Sequence, residues 1–366
     1  MKFFLVPLAV ILFILLELIT WVFLLLDHIF FPRFRKTEIK SPLFIIGMPR
    51  SATTLCQDML VHDSRNFTSM KLWEILFAPS IIQKKMAIIL KRTDNILKGK
   101  LTGMLAKTDR AIFSRIHEIH PASLFNIEED DFLLLHIFST PFLAFLFPEN
   151  KRFKAFLSFD EKVSSCQKRI IMGFYRNCIK RHLYVFGNGR RYLTKNPSHT
   201  PRLRSLCRTF PEVKFIYMLR DPVDSLASTM NMYRHYGRVL KSKITIAEIF
   251  SRAISFADIY YRYPLLTCSD LLGNSMFICH FDEITSDPVS AVRKIYAQVR
   301  IEPPEVLMDY ISRESEVKKH KASSRYTAEE FGLDKHSLSD RYYYVYEDHL
   351  HKAGQAVKWI SEYNSF

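Results

Sequence analysis

The longest apolar run lies at the start of the chain. Residues 3–26 read FFLVPLAVILFILLELITWVFLLL, broken only by Glu17 and Thr20. About 20 helical residues cross a hydrocarbon core, and a cleavable signal has a shorter apolar part with a small-residue cleavage site. The segment therefore predicts a single-pass membrane helix, with an interfacial helix that turns Glu17 and Asp27 to water as the alternative. Beyond it, apolar positions come in short runs: Pro42–Gly47 (PLFIIG), Arg191–Thr194 (RYLT), Lys214–Leu219 (KFIYML) and Met276–His280 (MFICH). Each has the length of a buried strand. Helical patterns fill 51–61, 202–209, 223–234, 246–266 and 287–299, and most of 71–185. Strands alternating with helices predict an α/β fold, a doubly wound parallel sheet flanked by helices. Ligands bind beyond the carboxyl ends of such strands, which singles out the loops 47–54, 195–199 and 220–228. The apolar stretch 131–147, interrupted by Pro141 and containing His136, predicts core or a substrate wall rather than a second span.

Composition narrows the class. Of 366 residues only 10 are Gly and 16 Pro, while 30 Phe and 17 Tyr supply a large core, so long disordered arms and collagen-like tracts are excluded. The formal charge is +15, and residues 1–31 carry only Lys2, Glu17 and Asp27, leaving the excess in the remainder. Such an excess fits an anionic partner (nucleic acid, acidic lipid or a polyanionic small molecule) or a merely solvated basic surface. The division that follows is a membrane anchor at 1–31, a basic juxtamembrane linker at 32–40 and a folded domain at 41–366. Arg33, Arg35, Lys36 and Lys40 follow the apolar segment, which by the positive-inside rule puts the large domain in the cytoplasm. The six cysteines include no CxxC pair, and most of them read as small buried hydrophobes.

The first loop, Gly47-Met48-Pro49-Arg50-Ser51-Ala52-Thr53-Thr54, joins a strand directly to a helix. It has the parts of a phosphate cradle: a glycine exit, the free amides of a helix start, and hydroxyls. The Gly-Lys-Ser/Thr ending of an ATPase loop is missing, and the cation is Arg50. The third loop opens with Arg220-Asp221-Pro222, and Ser228 follows inside the next helix. Together Arg220 and Ser228 can clamp a second phosphate, whereas alone the tripeptide is a turn with Asp221 at the helix cap. His117-Glu118-Ile119-His120 has the wrong spacing for a helical zinc pair. The acidic run Glu128–Asp131 reads as a helix start, and Tyr342-Tyr343-Tyr344 as core or a binding wall.

These loops resemble those of the sulfotransferases that use 3′-phosphoadenosine-5′-phosphosulfate (PAPS), over most of residues 41–350. The family's Pro-Lys/Arg-Ser-Gly-Thr-Thr loop is matched by Pro49, Arg50, Ser51, Ala52, Thr53 and Thr54, with Ala52 where glycine is usual. Its Arg and, eight residues later, Ser are matched by Arg220 and Ser228. Further segments are similar to the branch found largely in bacteria: Lys71-Leu72-Trp73-Glu74, Lys195-Asn196-Pro197-Ser198-His199, Phe281-Asp282-Glu283 with Asp287-Pro288, and His320-Lys321 with Phe331-Gly332-Leu333.

The resemblance implies a P-loop-like sulfotransferase domain that moves a sulfuryl group from PAPS to an acceptor hydroxyl or amine, with no metal. It implies that residues 49–54 hold the 5′-phosphosulfate, that Arg220 and Ser228 hold the 3′-phosphate, and that Lys195 stabilises the leaving group. Two residues compete for the base, Glu74 and His199, with Glu74 preferred by analogy with the branch. The anchor, the aromatic content and the apolar stretch 131–147 favour a lipid or glycolipid acceptor over a soluble sugar, and no nucleic-acid partner is expected. The rival readings are a P-loop-type ATP-dependent kinase and a non-catalytic, membrane-anchored anion-binding protein.

Overall fold

A computed structural model describes residues 2–96, 98–114, 122–147, 149–239, 245–318 and 329–350. The expected strands form where the apolar runs lie: β1 (Leu43–Gly47), β3 (Arg191–Lys195), β4 (Lys214–Leu219) and β5 (Met276–His280). A further two-residue strand, β2 (Phe67–Thr68), is too short to leave a periodic trace. The sheet order is β2-β3-β1-β4-β5, with the pairs β2–β3 and β4–β5 parallel. All five residues of β1 are buried, as a strand covered on both faces requires. The strand order reverses at β1, the position where doubly wound sheets place their ligands.

The chain clusters into two compact units. The first comprises residues up to Phe44, Ser64–Ser198 and Arg204–Val213. In it, α1 (Lys2–Phe30) is followed, after β1 begins, by β2, α3 (Leu72–Phe77), α4 (Ile81–Ile96), α5 (Lys100–Phe113) and a long helix over Ser165–His182. Strand β2 registers with β3 through Phe67 opposite Arg191 and Thr68 opposite Tyr192. The apolar stretch 131–147 divides: Leu133 and Leu134 enter the core, while Phe138, Phe142, Leu146 and Phe147 are exposed.

Helix α1 is joined to this unit by polar contacts. Glu17 accepts from His136 Nδ1 at 2.9 Å, Trp21 Nε1 donates to the His136 carbonyl at 3.3 Å, and Gln83 donates to Thr20 at 3.3 Å. Asp27 is fully buried; it pairs with Arg181 at 2.8 Å and accepts the first amides of α4, those of Ile81 and Ile82.

The second unit comprises Ile45–Asp63, His199–Leu203 and the chain from Lys214 onward. It holds the end of β1, α2 (Thr53–Leu60), β4, β5, and helices over Pro222–Val239, Ile246–Arg262 and Pro288–Val299. Strands β4 and β5 register from Phe215 opposite Met276 to Leu219 opposite His280. Gly47 ends β1 at φ +136, where a Cβ would stand 2.6 Å from the Met218 carbonyl oxygen, so only glycine fits. Cys56, Cys178, Cys268 and Cys279 are buried, Cys207 is partly buried and Cys166 is exposed. Tyr342 and Tyr344 are core residues, whereas Tyr343 is exposed. The segments 117–120 and 320–321 lie outside the described residues.

Candidate active site

In the second unit, the loop after Gly47 turns twice through the left-handed region, at Arg50 (φ +71) and Ala52 (φ +63). The family's usual glycine is explained by that second angle, which Ala52 adopts at a cost of about 1–2 kcal/mol. The turn sets Ala52 as the N-cap of α2, whose first amides have no partner within the helix. Ser51 and Thr53 are buried, while Arg50 and Thr54 are exposed, and Pro49 lies between. Ser51 Oγ has no hydrogen-bond partner among the described residues, although it is buried beside the helix start. An orphaned hydroxyl in a ring of helix-start amides fits an anionic ligand. The base of the loop is held by Thr200, whose Oγ1 accepts from Gly47 N at 3.0 Å, and Thr200 is the neighbour of the buried His199.

The Arg-Asp-Pro turn divides its labour. Asp221 accepts from the amides of Val223 (2.8 Å) and Asp224 (3.0 Å), capping the helix that starts at Pro222. Burial pushes the Asp221 carboxyl up, against these amides, which hold it down. Arg220 then faces the first loop. Its Nη1 donates to the Arg50 carbonyl at 2.9 Å, its guanidinium lies 4.2 Å from the centroid of the Phe281 ring, and Tyr261 OH donates to its carbonyl. Arg220 Nε is buried without a partner among the described residues. Arg50 Nε donates to Ser228 Oγ at 3.1 Å. Arg50, Arg220 and Ser228 thus form one connected cationic group at the start of α2. The stacking partner Phe281 was visible in the sequence only as part of a family segment, and Tyr261 carried no sequence signal.

In the first unit, Lys195 ends β3 buried, with Nζ 2.8 Å from Glu129 Oε1. The residues around it are ordered by Asp130, which accepts from Tyr175 OH (2.5 Å), Tyr192 OH (2.7 Å) and Asn196 Nδ2 (3.4 Å). The acidic run does open a short helix, Asp130–Ile137, with Glu129 at its cap, and it also orients the end of β3; that second role was missed because the partners of Glu129 and Asp130 lie 45 to 66 residues away.

Glu74, also in the first unit, is 3% exposed. Its Oε2 meets His182 Nδ1 at 2.8 Å and its Oε1 accepts from Lys71 N, while His182 Nε2 meets Thr68 Oγ1 at 3.0 Å. Burial alone pushes the Glu74 carboxyl up, but His182, Lys84 and the Lys71 amide together bring it below the usual carboxylate value. The site residues thus fall in two groups: residues 49–54, His199, Arg220 and Ser228 in one unit, Glu74 and Lys195 in the other.

The profile of the Sulfotransferase family matches residues 42–305. Curated relatives from Mycobacterium bovis and Mycobacterium tuberculosis, each called omega-hydroxy-beta-dihydromenaquinone-9 sulfotransferase Stf3, are 24% identical over 279 residues, 73% of this chain. The chain spans about 65% of the length of these relatives. Among solved structures, sulfotransferase STF9 from Mycobacterium avium superposes with a TM-score of 0.69 at 17% identity, over 89% of this chain and 81% of that one. Sulfotransferase STF1 from Mycobacterium tuberculosis H37Rv gives 0.58, also at 17% identity, over 89% and 82%. At that identity the likeness establishes the fold.

Proposed function

Because the chain belongs to the sulfotransferase family, we propose that it transfers a sulfuryl group from PAPS to the hydroxyl of an apolar lipid. The observation that carries this reading is the joined group of Arg50, Arg220 and Ser228 around a helix start that keeps an orphaned buried hydroxyl at Ser51. Bound PAPS supplies an activated sulfuryl group whose bond to the bridging phosphate oxygen breaks as the bond to the acceptor oxygen forms.

The chain's own residues then bind and neutralise. The amides of 51–54 with Ser51, Thr53 and Thr54 hold the 5′ end, and Arg50 offsets its charge. Arg220 and Ser228 hold the 3′-phosphate, with Phe281 keeping the guanidinium plane in place. Lys195, oriented by Glu129, offsets the charge on the leaving bisphosphate. For the proton of the acceptor hydroxyl we favour His199 over Glu74. His199 adjoins Thr200, which is bonded to the loop's Gly47, whereas Glu74 is committed to His182 and the Lys71 amide and is a weakened base. A lipid acceptor is supported by the Stf3 relatives, whose name specifies an omega-hydroxy menaquinone derivative, and by the apolar α1.

Calorimetric titration of the full chain in detergent with adenosine 3′,5′-bisphosphate, against ATP with magnesium, tests the donor site. Binding of the bisphosphate that is lost in Arg220→Ala supports the proposal. Preference for ATP with magnesium supports the kinase, and binding of neither by folded protein supports a non-catalytic role. Transfer of labelled sulfuryl to a lipid alcohol, lost in His199→Gln and retained in Glu74→Gln, supports His199; the opposite pattern assigns the base to Glu74.

A further inference from the structure

Helix α1 has two unlike faces. The acids and the other polar groups, Glu17, Thr20 and Asp27, are turned toward the first unit and bonded to His136, Gln83, Arg181 and the start of α4. The opposite face, on which Leu15, Leu18, Val22, Leu25 and Ile29 follow at helical spacing, is exposed and entirely aliphatic. A free single-pass helix presents all its faces to lipid, with Glu17 inside the hydrocarbon; here Glu17 has its partner in the folded unit.

The exposed apolar surface continues beyond α1. Helix α4 packs on α1 and α5 packs on α4. On α4, Met86, Ile89, Leu90 and Ile96 are exposed, and on α5 Leu101, Met104, Leu105 and Ile112. The α5 set recurs at i, i+3, i+4 and i+11, a single stripe along one side of the helix. Phe13 of α1 meets the exposed Phe138 edge-on, with ring centroids 6.3 Å apart, and Phe142, Leu146 and Phe147 follow. This is far more exposed apolar surface than an ordinary soluble face carries.

Charge names the occupant. Between Ile81 and Phe113 the only acids are Asp94 and Asp109, and both are buried. Asp94 accepts from Leu101 N and Thr102 N, and Asp109 from Ser123 and Leu124 N. The exposed charges there are all basic, among them Lys85, Lys91, Arg92, Lys100, Lys107 and Arg110. An aliphatic stripe bordered by lysine and arginine is the surface of a helix lying in an anionic membrane interface.

We propose that the first unit is embedded in one leaflet of an anionic bilayer through the outer faces of α1, α4 and α5 and the aromatic segment 138–147, with α1 part of that surface rather than a free span. This goes beyond the sulfuryl-transfer reading and does not depend on it, because its readout is lipid contact.

The test uses the full chain with Cys166→Ser and Cys207→Ser, the two cysteines that are not buried, carrying a single added cysteine at Val22, Leu90 or Met104 and labelled with an environment-sensitive dye. The labelled proteins are reconstituted into phosphatidylcholine vesicles with or without phosphatidylglycerol and with bromine on the lipid tails, and circular dichroism confirms folding. The expected result is tail-bromine quenching of all three labels in the phosphatidylglycerol vesicles, and severalfold weaker quenching at Leu90 and Met104 when the anionic lipid is omitted. Quenching at Val22 alone in the phosphatidylglycerol vesicles overturns the proposal in favour of a simple anchor. Equal quenching at Leu90 and Met104 in both vesicle types overturns the choice of an anionic bilayer.

Discussion

Arg50 and Ser228, 178 residues apart in the chain, are joined by a hydrogen bond of 3.1 Å from Nε to Oγ. The two halves of the proposed donor-binding pattern are thus tied together, and Arg220 reinforces the tie by donating to the Arg50 carbonyl. The pair is countered only in part: Asp224 Oδ2 lies 3.7 Å from Arg220 Nη2, and two arginines beside one carboxylate keep a net positive charge that suits an anionic ligand.

The first prediction concerns that charge. Arg220→Ala removes charged hydrogen bonds worth about 1.5–3 kcal/mol, so affinity for adenosine 3′,5′-bisphosphate drops roughly ten- to hundredfold. Ser228→Ala costs less, about tenfold at most, because one neutral hydroxyl is lost. Calorimetry on both variants checks the order, and equal losses would contradict the assigned roles.

Backbone strain in the first loop gives a second test. Ala52 sits at φ +63, so Ala52→Gly relieves about 1–2 kcal/mol and returns about half of it as chain entropy. A small rise in melting temperature with unchanged bisphosphate affinity is expected. Gly47→Ala has the opposite sign: the added Cβ meets the Met218 carbonyl, and a loss of roughly 3 kcal/mol or more follows, seen in a denaturant titration.

The pair Glu74–His182 sets a pH dependence of stability. Burial raises the Glu74 carboxyl less than His182, Lys84 and the Lys71 amide lower it, so its native value lies below its unfolded one. The stabilisation is present above the unfolded value of about 4.3 and is lost as pH falls through the native one. Melting temperature between pH 6 and pH 3, chosen to bracket that range, should fall less steeply in Glu74→Gln. At neutral pH that variant is destabilised by roughly 2–4 kcal/mol, since it leaves a buried partner uncompensated.

Glu129 is expected to act through Lys195. Glu129→Gln keeps the side-chain shape but removes the charge 2.8 Å from the ammonium, so kcat should fall about tenfold with KM for the donor little changed. Glu129→Asp restores part of it. A loss confined to KM would assign Glu129 to binding instead.

Much of this was legible in the chain itself. The strands at 43–47, 191–195, 214–219 and 276–280 and the loop Pro49–Thr54 are written in local periods and turn residues, and they stand where those patterns put them. Local signals suffice because strand length, helix start and the left-handed turn at Ala52 depend on neighbouring residues. What the sequence could not contain is which distant group answers each charge. His182 for Glu74, Glu129 for Lys195, and His136 and Arg181 for the two acids of α1 lie between 66 and 154 residues away. Burial makes those pairings obligatory, and only packing selects the partners. The tertiary structure thus added what the sequence lacked: a polar, protein-facing side to the apolar α1, and a buried hydrogen-bond partner, His182, to Glu74.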